Sequence, residues 1–339
     1  MSSYRKINYA IRPAKNIERK MLSEAFRKLI FLDKLSNYRY IGFGSTYFTD
    51  FELFHRDLNI SEMQSIEADS SNKLRFKFNR PFSCVDIKFD YSYNILPTLS
   101  YDKKDIVWLD YDGVLEGSVF NDIDTIVSNV QAGSIILISV NVEAPRVDLC
   151  EKEKANPKIR KEKTRIILEE MNKKLDGKLN IENELSPLNK NSILKQWNFA
   201  KKCRELVDSQ IKYSLSQREV SEKEGFRYQQ LFNFHYSDDA KMLTVGGIIF
   251  NEKLKDNVDK CCFSDMFCFK DTDEPLFIDP PNLTYREIKY LNKYMPLNDI
   301  ARIPEDSSGI KIDKIIPIKD IQKFQEIYRY FPTFSESNL

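Results

Sequence analysis

The chain has 339 residues, 42% of them apolar and 12% aromatic, with 23 Phe and 17 Tyr, so a large core is available and wholesale disorder is excluded. Lys and Arg number 52 against 51 Asp and Glu; the net charge of +1 creates no global field for a polyanion, and nucleic acid is not an expected partner. No run of 18 apolar residues exists and the start MSSYRKINYAIRPAK has no apolar stretch, so neither signal peptide nor membrane span is expected, and the six scattered cysteines suit reduced thiols in a cytoplasmic protein.

Along the chain, Ile17, Met21, Leu22, Ala25, Leu29 and Leu32 form one stripe and predict an amphipathic helix over 17–32. YRYIGFG (38–44) is a short apolar run stopped by glycine, hence a buried strand. A helix beginning near Thr46 follows, with Phe48, Phe51, Phe54 and Leu58 at helical spacing and Asn59 as its stop. MQSIE (63–67), VDIKF (85–89) and IVWLD (106–110) are further strands. Val119, Ile123, Ile126, Val127 and Val130 mark a helix, and SIILISV (134–140) a strand covered on both faces. Strands alternating with helices at this spacing indicate a parallel sheet. From Glu151 to Lys174 lysine and glutamate dominate around a stripe of Ile166, Ile167, Met171 and Leu175, a second stripe runs through Ile193, Leu194, Trp197, Ala200 and Cys203, and residues 151–225 read as a helical insertion. LFNFHY (231–236) and KMLTVGGIIF (241–250) predict a hairpin. The last ninety or so residues mix short strands and two aromatic-rich helices, an appendix rather than a separate core.

Five parallel strands followed by an antiparallel hairpin is the order of a doubly wound sheet that receives a last strand between two others. It resembles the Rossmann-like class I fold of S-adenosylmethionine-dependent methyltransferases. IGFG (41–44) ends the first strand, where glycine permits close approach of a ligand, and the following helix would aim its N–H groups at a carboxylate. Gly42, Gly44 and Ser45 are therefore cofactor-binding candidates, against the plain alternative of a tight turn; the missing third glycine argues against a dinucleotide. Glu67 ends the second strand, 25 residues after Gly42 and close to the ~20-residue offset at which an acid accepts from ribose hydroxyls. The resemblance places a polar residue after the third strand against the adenine, which makes Asp90 and Ser92 candidates; a solvated loop is the other reading.

NYAIRPAKNIERKM (8–21), YRYIGFGSTYFTDFELFHRDLNI (38–60), MQSIE (63–67) and IVWLDYDG (106–113) together resemble a family of bacterial O-methyltransferase-like proteins, some encoded near antiviral defence genes. The resemblance implies S-adenosylmethionine as methyl donor, an acceptor it does not name, and protein partners from a defence operon. Arg12, within Asn8–Lys15, would then close over the cofactor or merely pack beside the first helix. The segments divide as 1–37 (N-terminal segment and helix), 38–150 (cofactor-binding half), 151–225 (helical insertion), 226–255 (closing hairpin) and 256–339 (appendix).

Asp110 and Asp112 end the fourth strand, where ligands of doubly wound folds gather, so either could take a proton from the acceptor, or the pair could bind a divalent cation. His235 on the hairpin is a further candidate base. Two rival readings remain. Asp110-x-Asp112-Gly-Val resembles the nucleophile loop of haloacid dehalogenase-type phosphatases, with Asp238 and Asp239 as distal magnesium acids, although three strands and a glycine turn precede it. A cofactor-binding sensor without turnover, a partner subunit of a defence system, is the other. IDPPN (278–282) resembles the Asp-Pro-Pro loop of amino-methyltransferases, but Thr284 and Glu287 behind it spell a helix capping box. CCFSDMFC (261–268) lacks paired Cys-x-x-Cys spacing, and no dedicated metal site is expected.

Overall fold

The computed structural model describes residues 12–146, 156–186, 192–297, 299–300, 303 and 309–332. Residues 8–11 of the expected cofactor cover, and Cys150, lie outside them. One eight-stranded sheet organises the chain, in the order β3-β2-β1-β4-β5-β7-β6-β8. Its strands are β1 (Arg39–Gly42), β2 (Glu62–Ile66), β3 (Val85–Lys88), β4 (Asp105–Val114), β5 (Ser134–Asn141), β6 (Arg227–Ser237), β7 (Lys241–Phe250) and β8 (Leu276–Ile278). Strands β1 to β5 are mutually parallel, and β7 runs antiparallel between β5 and β6. This is the Rossmann order 3-2-1-4-5 with an inserted antiparallel strand, as the sequence order implied.

The strand sequences alternate so that each face has its own core. Tyr40, Ile106, Trp108, Ile135 and Leu137 face α1 (Pro13–Arg27) and α2 (Thr49–Leu58). Ile41, Val107, Leu109, Ile136 and Ile138 face the other side, covered by α5 (Gly117–Asn129), α6 (Pro157–Lys174) and α8 (Asn198–Glu222). Short helices α3 (Lys73–Asn79), α4 (Ser92–Ile95) and α7 (Ile181–Leu185) complete this half. Helices α9 (Lys255–Lys260), α10 (Tyr285–Asn292), α11 (Ile312–Ile315) and α12 (Ile318–Ile327) follow the hairpin, with a small core of their own around Leu291, Ile321 and Phe324. Among the described residues no helix is long and apolar enough to cross a membrane.

Three elements differ from the sequence reading. Helix α2 begins at Thr49, not near Thr46, because Ser45 and Phe48 take left-handed conformations (φ 50° and 48°) that prolong the turn. Helix α3 was not foreseen: Leu74, Phe76 and Phe78 alternate with cations at strand spacing, and only Phe76 is buried. Strand β8, from the expected appendix, extends the sheet parallel to β6. The Thr284–Glu287 capping box is formed as predicted, at the start of α10.

Close packing decides the inserted strand. A Cβ on Gly246 would lie 2.0 Å from the Ile136 carbonyl oxygen of β5. Gly246→Ala is expected to lower stability by about 3 kcal/mol or more, whereas Gly113→Ala, with nothing within 4 Å of its Cβ, shifts it by less than ~0.5 kcal/mol. Urea unfolding checks this through the midpoint at unchanged m value.

Candidate active site

The strand order reverses between β1 and β4, and a cavity of about 410 Å³ opens there at the carboxyl ends of the parallel strands. Its walls come from the turn after β1 (Phe43, Gly44, Ser45), the end of β2 (Glu67, Asp69), the tail of β4 (Asp110, Tyr111, Asp112) and the first turn of α2 (Thr49, Asp50). Arg19 of α1 and Phe76 of α3 close it.

Parallel register sets its central contact. Gly42 pairs with Ser65, so two residues further on Gly44 arrives beside Glu67. The Gly44 N–H donates to Glu67 Oε1 at 2.8 Å, and Ser65 Oγ donates to the same oxygen at 2.7 Å. Glu67 is only 6% exposed; burial pushes its carboxyl up to about 7, against the pull of the Ser65 and Gly44 donors. Glycine at 44 is required by the protein itself, since a Cβ would stand 2.5 Å from the Phe48 ring and 2.8 Å from Ser65 Oγ. Gly42 does not line the cavity: its Cβ would meet the Tyr40 hydroxyl at 2.6 Å, so strand packing explains it.

The opposite wall hangs on a buried ammonium. Lys15, 1% exposed, places Nζ 2.7 Å from Glu18, 2.9 Å from Asp110 Oδ1 and 3.1 Å from the Tyr236 hydroxyl, 4.3 Å over the Trp108 ring. Burial alone would lower its pKa; Asp110 and Glu18 outweigh that and raise it. Glu18 is pushed up by burial and drawn back by Lys15. Beside this cluster, Asp50 accepts from the Tyr40 hydroxyl; burial raises its pKa while the Arg19 charge opposes the rise.

Several sequence candidates stand elsewhere. Asp90 is exposed and accepts from the Tyr91 N–H and the Asn94 side chain, bonds made within its own loop. Ser92 donates to Asp122, which Tyr111 also engages. Both lie off the cavity wall because β3 is the edge strand and stops at Lys88. Arg12 pairs with Asp239 at 3.5 Å on the β6–β7 turn instead of reaching the cavity. His235 is buried on the sheet face opposite Tyr236, stacked on Trp197 (5.0 Å, 18°) with Phe277 at its edge. Burial pulls its pKa down to about 4, and it does not line the cavity.

Asp238 accepts from the Ala14 and Lys15 N–H groups at 3.2 Å each, capping α1. With Asp239 held by Arg12, the phosphohydrolase alternative loses its distal cation-binding acids. The described residues contain no cluster of three side chains that could hold a metal ion. Sequence reasoning missed Lys15, Arg19, Asp50 and Asp69.

A family model described as "Putative O-methyltransferase" matches residues 7–339. The chain belongs to this O-methyltransferase family. No curated protein matches it. Trm1 from Pyrococcus horikoshii, solved with S-adenosyl-L-methionine, is similar at 11% identity and TM-score 0.38, over 71% of this chain and 58% of that one. An O-methyltransferase family protein from Burkholderia thailandensis is similar at 10% identity and TM-score 0.32, over 68% and 55%. Human N-acetylserotonin methyltransferase with the same cofactor gives 11% and 0.30, over 71% and 57%. The chain thus spans less than two thirds of each of these proteins. The fold assignment of this O-methyltransferase family member rests on its own strand order.

Removing the ammonium leaves two carboxylates uncompensated. Lys15→Met is expected to destabilise the protein by about 3–5 kcal/mol, and adding Glu18→Leu to recover part of that. Urea titrations of the single and double variants measure both.

Proposed function

We propose that the protein is an S-adenosylmethionine-dependent methyltransferase with its donor site in the cavity between β1, β2 and β4. The observation that carries this is Glu67, pinned by Gly44 and Ser65 on the cavity wall at the switch in strand order. The volume lies within the ~300–1,000 Å³ of small-molecule sites. Five carboxylates (Asp50, Glu67, Asp69, Asp110, Asp112) face it, with Arg19 the sole cation among the described lining residues. That charge pattern fits a ligand carrying two cationic groups and one carboxylate. When bound, S-adenosylmethionine supplies a methyl group on a sulfonium for in-line displacement by the acceptor.

The chain's own groups then have distinct tasks. Glu67 accepts from ribose hydroxyls. Arg19 pairs with the ligand's carboxylate, a role that α2 cannot fill because Asp50 already occupies its first turn. Asp110, oriented by Lys15, favours the cationic end. Asp112, at the outer end of β4, takes the proton of an acceptor hydroxyl.

Ligand hydroxyls donate to ionised Glu67, whereas below pH 7 the free protein holds a proton there. Affinity is therefore expected to rise with pH and level off above about 7, with a limiting slope near tenfold per pH unit below it. Calorimetry with S-adenosylmethionine on wild type and Glu67→Gln tests this: the variant binds more weakly and without the slope. No heat from wild type at any pH would sink the donor-site reading.

Arg19→Met is expected to weaken S-adenosylmethionine by roughly ten- to a hundredfold, the worth of a charge-assisted bond. It leaves 5′-methylthioadenosine, which has no amino-acid tail, unchanged. Equal losses for both ligands would remove Arg19 from the carboxylate role.

A further inference from the structure

We propose that a second, apolar cleft at the same sheet edge seats the acceptor, and that it takes a hydrocarbon end group no larger than a single ring. The cleft has a volume of about 80 Å³. Val114 and Leu115, at the tail of β4, form one wall; Ile167 and Met171 of α6 and Leu175 just past its end form another, and Phe199 of α8 the third. Leu115, Met171, Leu175 and Phe199 are all buried, yet their side chains leave this space between them. The charged groups of the lining, Glu170 and Lys174, are exposed and sit on successive turns of α6.

Size and position define the occupant. Whole small-molecule sites run to ~300–1,000 Å³, so this is a subsite. A closed apolar cavity of ~150 Å³ accepts benzene, which sets one ring, partly protruding, as the upper limit here. Asp112 lines the donor cavity and Val114 lines the cleft, two residues along one strand, a separation of about 7 Å at ~3.3 Å per residue. The donor cavity carries five carboxylates beside its Phe43, Phe76 and Tyr111 rings, whereas the walls of the cleft are mainly aliphatic. An acceptor with a hydroxyl on a short hydrocarbon end can leave that end in the cleft and direct its oxygen back to Asp112. Two of the walls that select it belong to the 157–222 helical region, and the tail of β4 supplies the other. This assignment rests on the donor-site reading above.

The test uses phenol and 2-naphthol as probes, read by ligand-observed NMR on the full chain with S-adenosylhomocysteine present, beside calorimetry of S-adenosylmethionine. Wild type is expected to bind phenol in the millimolar range and 2-naphthol at least tenfold more weakly. Ile167→Trp, at a half-exposed lining position, should lose phenol while holding S-adenosylmethionine within twofold, which also reports its folding. Leu115→Ala enlarges the cleft and should admit 2-naphthol. Phenol bound equally by wild type and Ile167→Trp, or not bound by a wild type that binds S-adenosylmethionine, overturns the proposal. A wild type that takes phenol but neither S-adenosylmethionine nor its product overturns the donor reading, and with it the role of the cleft as an acceptor seat.

Discussion

One buried ammonium holds the carboxyl edge of the sheet together. Lys15 comes from the first helix, Asp110 from the central strand and Tyr236 from the hairpin, and their polar atoms meet within 3.1 Å. An ammonium taken from water loses several kcal/mol of hydration and persists only where carboxylates replace that hydration. Glu18 and Asp110 do so, and the Trp108 ring covers the remaining side. Asp238, in the β6–β7 turn two residues past Tyr236, fastens the same helix by accepting from its Ala14 and Lys15 N–H groups. The first helix is thereby a wall of the cavity rather than an ornament on the sheet, and Arg19, one turn beyond Lys15, inherits its position from that anchoring.

The electrostatics of the cavity follow from this arrangement. Two carboxylates share the Lys15 charge, and Asp50 shares Tyr40 and Arg19. Burial raises the pKa values of Glu18, Asp50 and Glu67, opposed at Glu18 by Lys15, at Asp50 by Arg19, and at Glu67 by the Ser65 and Gly44 donors. In the donor site proposed above, a ligand hydroxyl that donates to ionised Glu67 displaces the proton this carboxyl holds below about pH 7, which couples donor binding to the titration of Glu67.

How much of this was legible in the sequence depends on whether the relevant geometry is local. The pairing of Gly44 with Glu67 was, because adjacent parallel strands advance in step and equal offsets past Gly42 and Ser65 bring the two together. The reason for Gly42 was not, since the crowding partner, Tyr40, looks unremarkable two residues earlier. Asp90 and Ser92 followed the rule for a strand end, but β3 is a short edge strand and its end turns outward into α4. His235 fell one residue from the useful face: strand alternation gave Tyr236 to Lys15 and His235 to Trp197. Lys15, Glu18 and Arg19 were hidden because an i,i+3 pair of opposite charges on a helix usually marks its wet side. Their spacing against Leu22 was the available signal: positions 15, 18, 19 and 22 fall on one helical face, and Leu22 lies in the core.

Strand β4 carries the functional division of the molecule along its length. Its first half alternates Ile106 and Trp108 to one face with Val107 and Leu109 to the other, anchoring both cores. Past Asp110 its pairing with β5 shifts register before resuming at Val114, and the strand leaves the regular sheet there. Asp110, the last residue paired before the shift, and Asp112, within it, both line the cavity; Val114, where pairing resumes, and Leu115 meet the inserted helices. The irregularity between Asp110 and Val114 thus separates the acidic lining of the cavity from the apolar lining of the cleft within a few residues, the arrangement on which the proposed donor and acceptor seats rest. Helices α6 and α8 line the cleft but take no part in the strand register that holds Glu67 against Gly44, so in this proposal substitutions there alter the acceptor seat and leave the donor seat intact.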